Sequence, residues 1–191
     1  MSAAPSPKAN PADVFQRIWY RLVLLFYTVY LIVFWFVLGP GNPWYAVGVA
    51  GWTFSLGPAV AASVMRRVPR QWFRVPTGER VLHRIVGVAV FRWLLDVSGW
   101  NRRVAGPMRG FSGKRAALPS LEQSVRFTAS AHGTGFAIHV VLAVLALFTQ
   151  RPWSAALWML LPGLAVHLYP LLLQRSIMLR LQPLLDKTGS C

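Results

Sequence analysis

Residues 22–38 read LVLLFYTVYLIVFWFVL, a run of seventeen residues without a single charge. Ile18, Trp19 and Tyr20 extend this apolar run at its front. A helix rises about 1.5 Å per residue, so about 20 apolar residues cross a hydrocarbon layer of roughly 30 Å. We therefore predict that this stretch crosses a membrane as a helix.

Three further apolar blocks follow, at residues 44–65, 133–149 and 153–173. The chain is 55% hydrophobic and only 13% charged, whereas soluble domains carry about 25% charged residues. These charges are too few to cover a water-facing surface. The predicted fold class is an all-α integral membrane protein with about four transmembrane helices.

The cationic residues indicate the orientation. The chain has 20 Lys and Arg against 5 Asp and Glu, and four crossings leave Arg151 alone on one side. Cytoplasmic loops carry the Lys and Arg excess, so we predict a multi-pass protein of the cell membrane with cytoplasmic N- and C-termini. A basic balance can also indicate nucleic acid. The hydrophobicity instead favours membrane lipid as the partner and predicts no nucleic acid.

The charge pattern divides the chain into five parts. We predict a disordered N-terminal tail, a first transmembrane hairpin, a basic cytoplasmic or interfacial segment, a second transmembrane hairpin and a cytoplasmic tail. These parts are residues 1–17, 18–65, 66–131, 132–175 and 176–191.

Within the basic segment, residues 81–100 (VLHRIVGVAVFRWLLDVSGW) are amphipathic and carry Arg84, Arg92 and Asp96. Three charges make a membrane crossing costly. We predict a helix that lies in the membrane interface, and a partly re-entrant position stays open.

Three histidines are candidates for chemistry. His132 lies at the cytoplasmic mouth of the third block, and His139 follows seven residues later, about two helical turns, so both can face one groove. His167 lies inside the fourth block, where a polar group usually faces the bundle interior. A neutral imidazole can take a proton from a hydroxyl group. Alternatively, these histidines only bind neighbouring helices and stabilise their packing.

A metal site is disfavoured, because the chain has only four histidines and five acidic residues, without closely spaced histidine pairs. We predict neither a metal nor a cofactor. At the end of the fourth block, Gln174 and Arg175 could bind phosphate, carboxylate or sugar oxygens, or simply anchor the helix. The basic residues of the middle segment are expected to contact lipid, and a specific pocket for an anionic headgroup stays open. They are Arg92, Arg102, Arg103, Arg109, Lys114 and Arg115.

Several motifs together resemble the glycosyl-4,4'-diaponeurosporenoate acyltransferase family over roughly residues 80–185. They are residues 91–95 (FRWLL), residues 113–115 (GKR), Arg126 followed by His132, and residues 169–175 (YPLLLQR). The resemblance implies that a fatty acyl chain is esterified onto the sugar of a glycosylated carotenoid or related glycolipid at the cytoplasmic interface. An acyl donor and a glycosylated lipid acceptor would then be the partners.

The resemblance also implies roles for individual residues. His132 would be the general base on the sugar hydroxyl, while Arg126, Gln174 and Arg175 would orient substrate oxygens or a phosphate of the acyl donor. His167 and Arg92 complete the predicted substrate-binding set. The chain differs from the family pattern at Ala129, which stands in place of an acidic residue, and at His167, which stands in place of an asparagine. It also differs at residues 176–178 (SIM), where the family pattern has Tyr-Asn-Arg.

Two other functions compete with an acyltransferase. A non-catalytic membrane scaffold or lipid-binding protein derived from the family would fit the loss of the acidic residue. A small transporter is less favoured, because few polar groups lie within the blocks and no inverted repeat is visible. The identities of the donor and acceptor and the oligomeric state stay open.

Overall fold

The computed structural model describes residues 11–149 and 152–187, and for residues 11–17 it describes the backbone only. This part of the chain is helical and contains no strand, which confirms the predicted fold class. Its α-helices are α1 Pro11–Val37, α2 Pro43–Arg67, α3 Glu79–Ile85, α4 Val88–Val97, α5 Gly106–Arg109, α6 Leu118–Phe148, α7 Trp153–Gly163 and α8 Tyr169–Lys187. Most of the predicted N-terminal tail, the turn at residues 150–151 and residues 188–191 lie outside the described residues.

Within the described residues, four helical stretches are long and apolar enough to cross a membrane. They are Ile18–Val37, Pro43–Arg67, Arg115–Phe148 and Trp153–Lys187. The third and fourth are longer than the apolar blocks, because both helices continue into the basic part of the chain. α1 begins at Pro11, inside the predicted tail, since no proline or glycine follows until Gly39.

Polar side chains join α1 to α2. The Tyr27 hydroxyl donates to the Gly48 carbonyl at 2.9 Å, and the Trp52 indole donates to Thr28 Oγ1 at 3.1 Å. The turn before α2 is closed by Asn42, whose side chain accepts from the first backbone N–H groups of that helix. Hydrogen bonds between helices are favoured in lipid, where water offers no alternative partner. They hold α1 on the bundle although most of its side chains are exposed.

α6 is the centre of the bundle and packs against α2, α7 and α8. Its contact with α2 is close, since a Cβ added at Gly57 would lie 2.9 Å from the Ala131 carbonyl oxygen. Small residues allow this approach of two backbones in a membrane. Separate apolar clusters surround the two ends of α6, one including Ala143 and Met159 and the other including Leu118 and Val125.

The predicted interfacial helix over residues 81–100 is divided into α3 and α4. Gly87 lies between them with φ of +71°, a left-handed conformation that glycine adopts without steric cost. α4 then turns onto α8, where Val88 packs with Leu172 and Leu173. The prediction of a single helix over residues 81–100 is therefore wrong. α4 instead packs against α8, the last transmembrane helix.

Where Pro162 and Gly163 interrupt the fourth apolar block, the helix changes type. Proline provides no backbone N–H and disturbs the hydrogen-bond ladder of a helix. The chain continues from α7 through a π-helical turn, Leu164–Leu168, into α8. Such turns occur frequently at functional sites, and this one carries His167.

Candidate functional site

Three imidazoles and one hydroxyl meet where α2, α6 and the π-helical turn come together. We call Thr53, His132, His139 and His167 the histidine cluster. Thr53 and His139 are fully buried, and His167 is 1% exposed. His132 is only partly buried. The cluster therefore joins the interior of the bundle to its surface through His132.

Short contacts connect all four side chains. Thr53 Oγ1 lies 2.8 Å from His167 Nε2 and 3.3 Å from His139 Nε2. The Nδ1 atoms of His132 and His167 are 3.4 Å apart. At the inner end, His139 Nδ1 donates to the Met159 carbonyl oxygen at 2.7 Å. The contacts form a chain from a backbone carbonyl to His132.

Helix geometry and two glycines build this arrangement. Seven residues are nearly two helical turns, so His132 and His139 leave α6 on one face. A Cβ at Gly163 would lie 2.6 Å from the Cβ of His139, and one at Gly135 would overlap the ring of His167. Each deep histidine thus packs against a glycine of the facing segment.

The contacts allow an arrangement of protons in which all three rings are neutral. His139 donates from Nδ1 to a carbonyl, so its Nε2 is an acceptor for the Thr53 hydroxyl, whose single hydrogen also lies within reach of the Val49 and Ala50 carbonyls at 2.9 and 3.1 Å. The Thr53 oxygen then accepts from His167 Nε2, which leaves His167 Nδ1 as an acceptor for His132 Nδ1–H. In this arrangement, His132 Nε2 keeps its lone pair.

A cavity of about 450 Å³ opens beside the His132 ring. Its walls are mainly apolar and come from α2, α4, α6, α8 and the segment around α5. His132, His167 and Gln174 contribute polar groups to it, as do Asn101 and Arg109. Its larger apolar side chains include Phe54, Phe91, Leu95, Trp100, Met108 and Phe127. Mainly apolar pockets with a few polar groups are typical small-molecule sites.

Gln174 and Arg109 offer this cavity polar groups that can bind a ligand. Gln174 is 6% exposed, and within the described part of the chain its amide has no hydrogen-bond partner. Arg109 is partly buried, and burial lowers its pKa, with the charge of Arg92 acting in the same direction and Asp96 opposing it. The cavity therefore combines a neutral amide with a guanidinium.

Arg126 does not share this cavity. It lies six residues before His132, a rotation of about 240° around α6, so the two side chains leave different faces. Arg126 is buried over the ring of Phe73, 4.7 Å from its centroid, and lies 3.7 Å from a Glu122 carboxylate oxygen. The structure places this arginine between α6 and the segment before α3.

Arg175 is likewise turned away from His132 and pairs with Glu79. Its Nε donates to Glu79 Oε2 at 2.8 Å, and a second N–H donates to the other carboxylate oxygen. These hydrogen bonds lower the pKa of the Glu79 carboxyl, and burial opposes them. The bidentate pair joins α3 to α8. Arg92 lies elsewhere, in a second cleft, and is 3.8 Å from Asp96.

Sequence reasoning therefore located part of the cluster and missed the rest. His132, His167 and Gln174 line the same cavity. His139 lies behind them in the interior of the bundle. Thr53 was not identified, because an isolated threonine in an apolar span gives no signal. Within the described residues, no three His, Cys, Asp or Glu side chains are grouped so that they could hold a metal ion.

A helical bundle with a partly exposed imidazole beside a mainly apolar cavity defines a polytopic membrane protein with a site suited to amphiphilic molecules. Residues 63–187 match the family model described as glycosyl-4,4'-diaponeurosporenoate acyltransferase. The chain belongs to this family of membrane acyltransferases, as the motifs of its second half indicated. Comparison with curated proteins and with solved structures gave no match. The family match covers α3 to α8, whereas Thr53 lies before it.

Proposed function

We propose that the protein transfers a fatty acyl chain to a sugar hydroxyl of a glycosylated carotenoid or related glycolipid. The reaction takes place at the cytoplasmic interface of the cell membrane, with both termini cytoplasmic. One observation carries the proposal: His132 borders the cavity while its Nδ1 is engaged by a buried imidazole. A histidine held in this way is suited to act as a general base.

In the proposed reaction, His132 Nε2 removes the proton of the sugar hydroxyl as its oxygen attacks the acyl carbonyl carbon. The new C–O ester bond forms, and the bond between the acyl group and the donor's leaving group breaks. The imidazolium then gives its proton to the leaving group. His167 Nδ1 accepts from His132 Nδ1–H throughout and stabilises the imidazolium.

The relay behind His132 supplies what a carboxylate supplies in many histidine sites. Ala129 provides no acid at the position where the family usually carries one. His167, Thr53 and His139 instead hold the ring of His132 in place through a chain of short contacts. Keeping the base neutral at rest also avoids a buried charge within the membrane.

The cavity walls fit an amphiphilic substrate. Phe91, Leu95 and Phe127 offer apolar surface to an acyl or polyene chain. Gln174 can bind sugar hydroxyls through its amide, and Arg109 can bind an oxygen of the substrate or donor. We assign substrate contact to Gln174, whereas His167, whose two ring nitrogens are engaged, acts through His132. Arg126 and Arg175 would act indirectly, by fixing α6 and α8 beside the cavity.

The test compares lipid and pigment extracts from cells that lack the gene and are complemented with variants. Wild type and Thr134→Ala should restore an acylated glycolipid. His132→Ala should not, although it reaches the same level in the membrane. Thr134 is the matched control because it lies two residues along α6 and bonds only the Ser130 carbonyl within the described chain.

A non-catalytic scaffold or lipid-binding protein is the second candidate, and Ala129 is the observation that favours it. An extract that is identical for wild type and His132→Ala would support this alternative and refute the proposed acyl transfer.

A further inference from the structure

A second cleft, of about 580 Å³, lies between α3, α4 and α8. We call it the basic cleft because Arg80, Arg84, Arg92 and Arg180 line it. Among the described residues, Asp96 is its only acidic side chain. Positive charge therefore exceeds negative charge around a space large enough for a phosphate-bearing group.

Three of these guanidinium groups have no partner among the residues that the structure describes. Arg80, Arg84 and Arg180 make neither an ion pair nor a hydrogen bond through their side chains. Arg92, the fourth, lies 3.8 Å from Asp96, and both side chains are half exposed. Like charges around one cleft repel each other, so an anion bound between them would be stabilised by all three unpaired groups.

His83 adds an independent sign of a ligand. It lines the cleft and is only 7% exposed, yet its Nε2 has no hydrogen-bond partner within the described part of the chain. The nearest acid, Glu79 Oε2, is 3.7 Å away and already accepts from Arg175. A buried ring nitrogen without a partner is unusual in a folded protein. An anion in the cleft would supply an acceptor.

The basic cleft and the cavity beside His132 share a wall. Phe91 and Leu95 of α4 face the cavity, whereas Arg92 lies on the cleft side, and Leu173 of α8 borders both. A molecule with a charged end and an acyl end could therefore have one end in each space.

We propose that the basic cleft binds phosphate groups, either those of the acyl donor or those of an anionic lipid headgroup. Arg80, Arg84 and Arg180 supply the charge and His83 a buried hydrogen bond. The donor version rests on the proposed function and names the donor class as a phosphate-bearing acyl carrier such as a coenzyme A thioester. The lipid version does not depend on acyl transfer.

The experiment measures binding by the full-length protein in nanodiscs. Free coenzyme A is titrated in phosphatidylcholine discs, and retained lipid is identified by native mass spectrometry after purification from discs that also contain phosphatidylglycerol. Arg84→Gln/Arg180→Gln is the cleft variant. Arg102→Gln/Arg103→Gln is its control, because it removes the same charge from exposed positions outside the cleft.

Saturable binding of coenzyme A that weakens about 100-fold in the cleft variant, and about twofold or less in the control, supports the donor version. Retained phosphatidylglycerol that disappears only in the cleft variant, without coenzyme A binding, supports the lipid version. Absence of both ligands, or equal loss in the two variants, overturns the proposal. His132→Ala should bind as wild type does, so failure of the binding site and failure of the catalytic assignment give different results.

Discussion

Gly135 of α6 lies against the imidazole of His167, so closely that a Cβ at this position would overlap the ring. A Cβ added at Gly133, two residues earlier on the same helix, would meet nothing within 4 Å. These two glycines therefore differ in environment while sharing a helix and a residue type.

The first prediction uses this pair. Gly135→Ala should displace His167 and destabilise the protein by about 1–3 kcal/mol, because a packed interior does not accept added volume. Gly133→Ala should leave stability unchanged or raise it by up to about 1 kcal/mol, since alanine favours helix. Thermal unfolding in detergent measures both. Equal effects of the two substitutions would contradict the observed packing.

The second prediction concerns Thr53 as a positioning residue. Thr53→Val keeps the side-chain shape but removes the hydroxyl that joins His167 to His139. We expect kcat to fall about 10- to 100-fold with little change in KM, the equivalent of losing one or two hydrogen bonds around the base.

Thr53→Ser restores the hydroxyl and should recover most of this activity. If Thr53 acted only through packing, Thr53→Ser, which lacks the methyl group, would be no more active than Thr53→Val, which keeps the side-chain shape. If Thr53→Ser is as slow as Thr53→Val, the relay does not act on His132.

The third prediction concerns the Glu79–Arg175 pair. A double-mutant cycle with Glu79→Gln and Arg175→Gln should give a coupling free energy of about 1 kcal/mol, since the pair is bidentate but partly exposed. The Arg92–Asp96 pair, half exposed and 3.8 Å apart, is the control and should give less than about 0.5 kcal/mol. Similar coupling in the two cycles would argue against a link between α3 and α8.

The fourth prediction is a loss of stability in acid. Burial lowers the pKa of His83 from 6.5, so the folded state holds fewer protons and loses stability as pH falls below this value. The pKa of Glu79 is lowered from 4.5, chiefly by hydrogen bonds from Arg175, so its contribution is lost as pH falls through the folded pKa.

Melting temperatures should therefore decrease in two successive pH windows. Glu79→Gln should remove the decrease in the lower pH window. If the melting temperature of this variant still falls below pH 4.5 as steeply as that of the wild type, the assignment is refuted.

The fifth prediction concerns topology. In a Cys191→Ser background, a thiol-reactive dye that cannot cross the membrane should label Ser112→Cys and Lys187→Cys from the cytoplasmic side. Gly41→Cys should be labelled from the opposite side, because residues 38–42 form the turn between α1 and α2. Labelling of positions 112 and 187 from different sides would refute the four-span arrangement.

Features that depend on composition or on helical spacing could be predicted from the sequence. Uncharged runs such as residues 22–38 require a membrane because of their hydrophobicity, and seven-residue spacing aligns His132 with His139. The family motifs also identified the second half correctly, as residues 63–187 match the family model. These inferences need no knowledge of how helices pack.

Other features required the packing itself. Arg126 and His132 belong to one motif, but six residues separate them on the helix and place them on different faces. Arg175 finds Glu79 from a distant helix, and Thr53 meets His167 across 114 positions of sequence. Gly87 divides the amphipathic stretch although the apolar pattern continues through it. Such pairings depend on three-dimensional contacts that local patterns do not encode.

The hydrogen-bond chain behind His132 ends on the backbone carbonyl oxygen of Met159, and every amino acid residue has such an oxygen. Replacement of the methionine side chain during evolution would leave this acceptor in place, provided that α7 keeps its path. A carboxylate anchor, by contrast, can be erased by one codon change. The hydrogen-bond chain behind His132 therefore persists through substitutions of the kind that would remove an acidic residue.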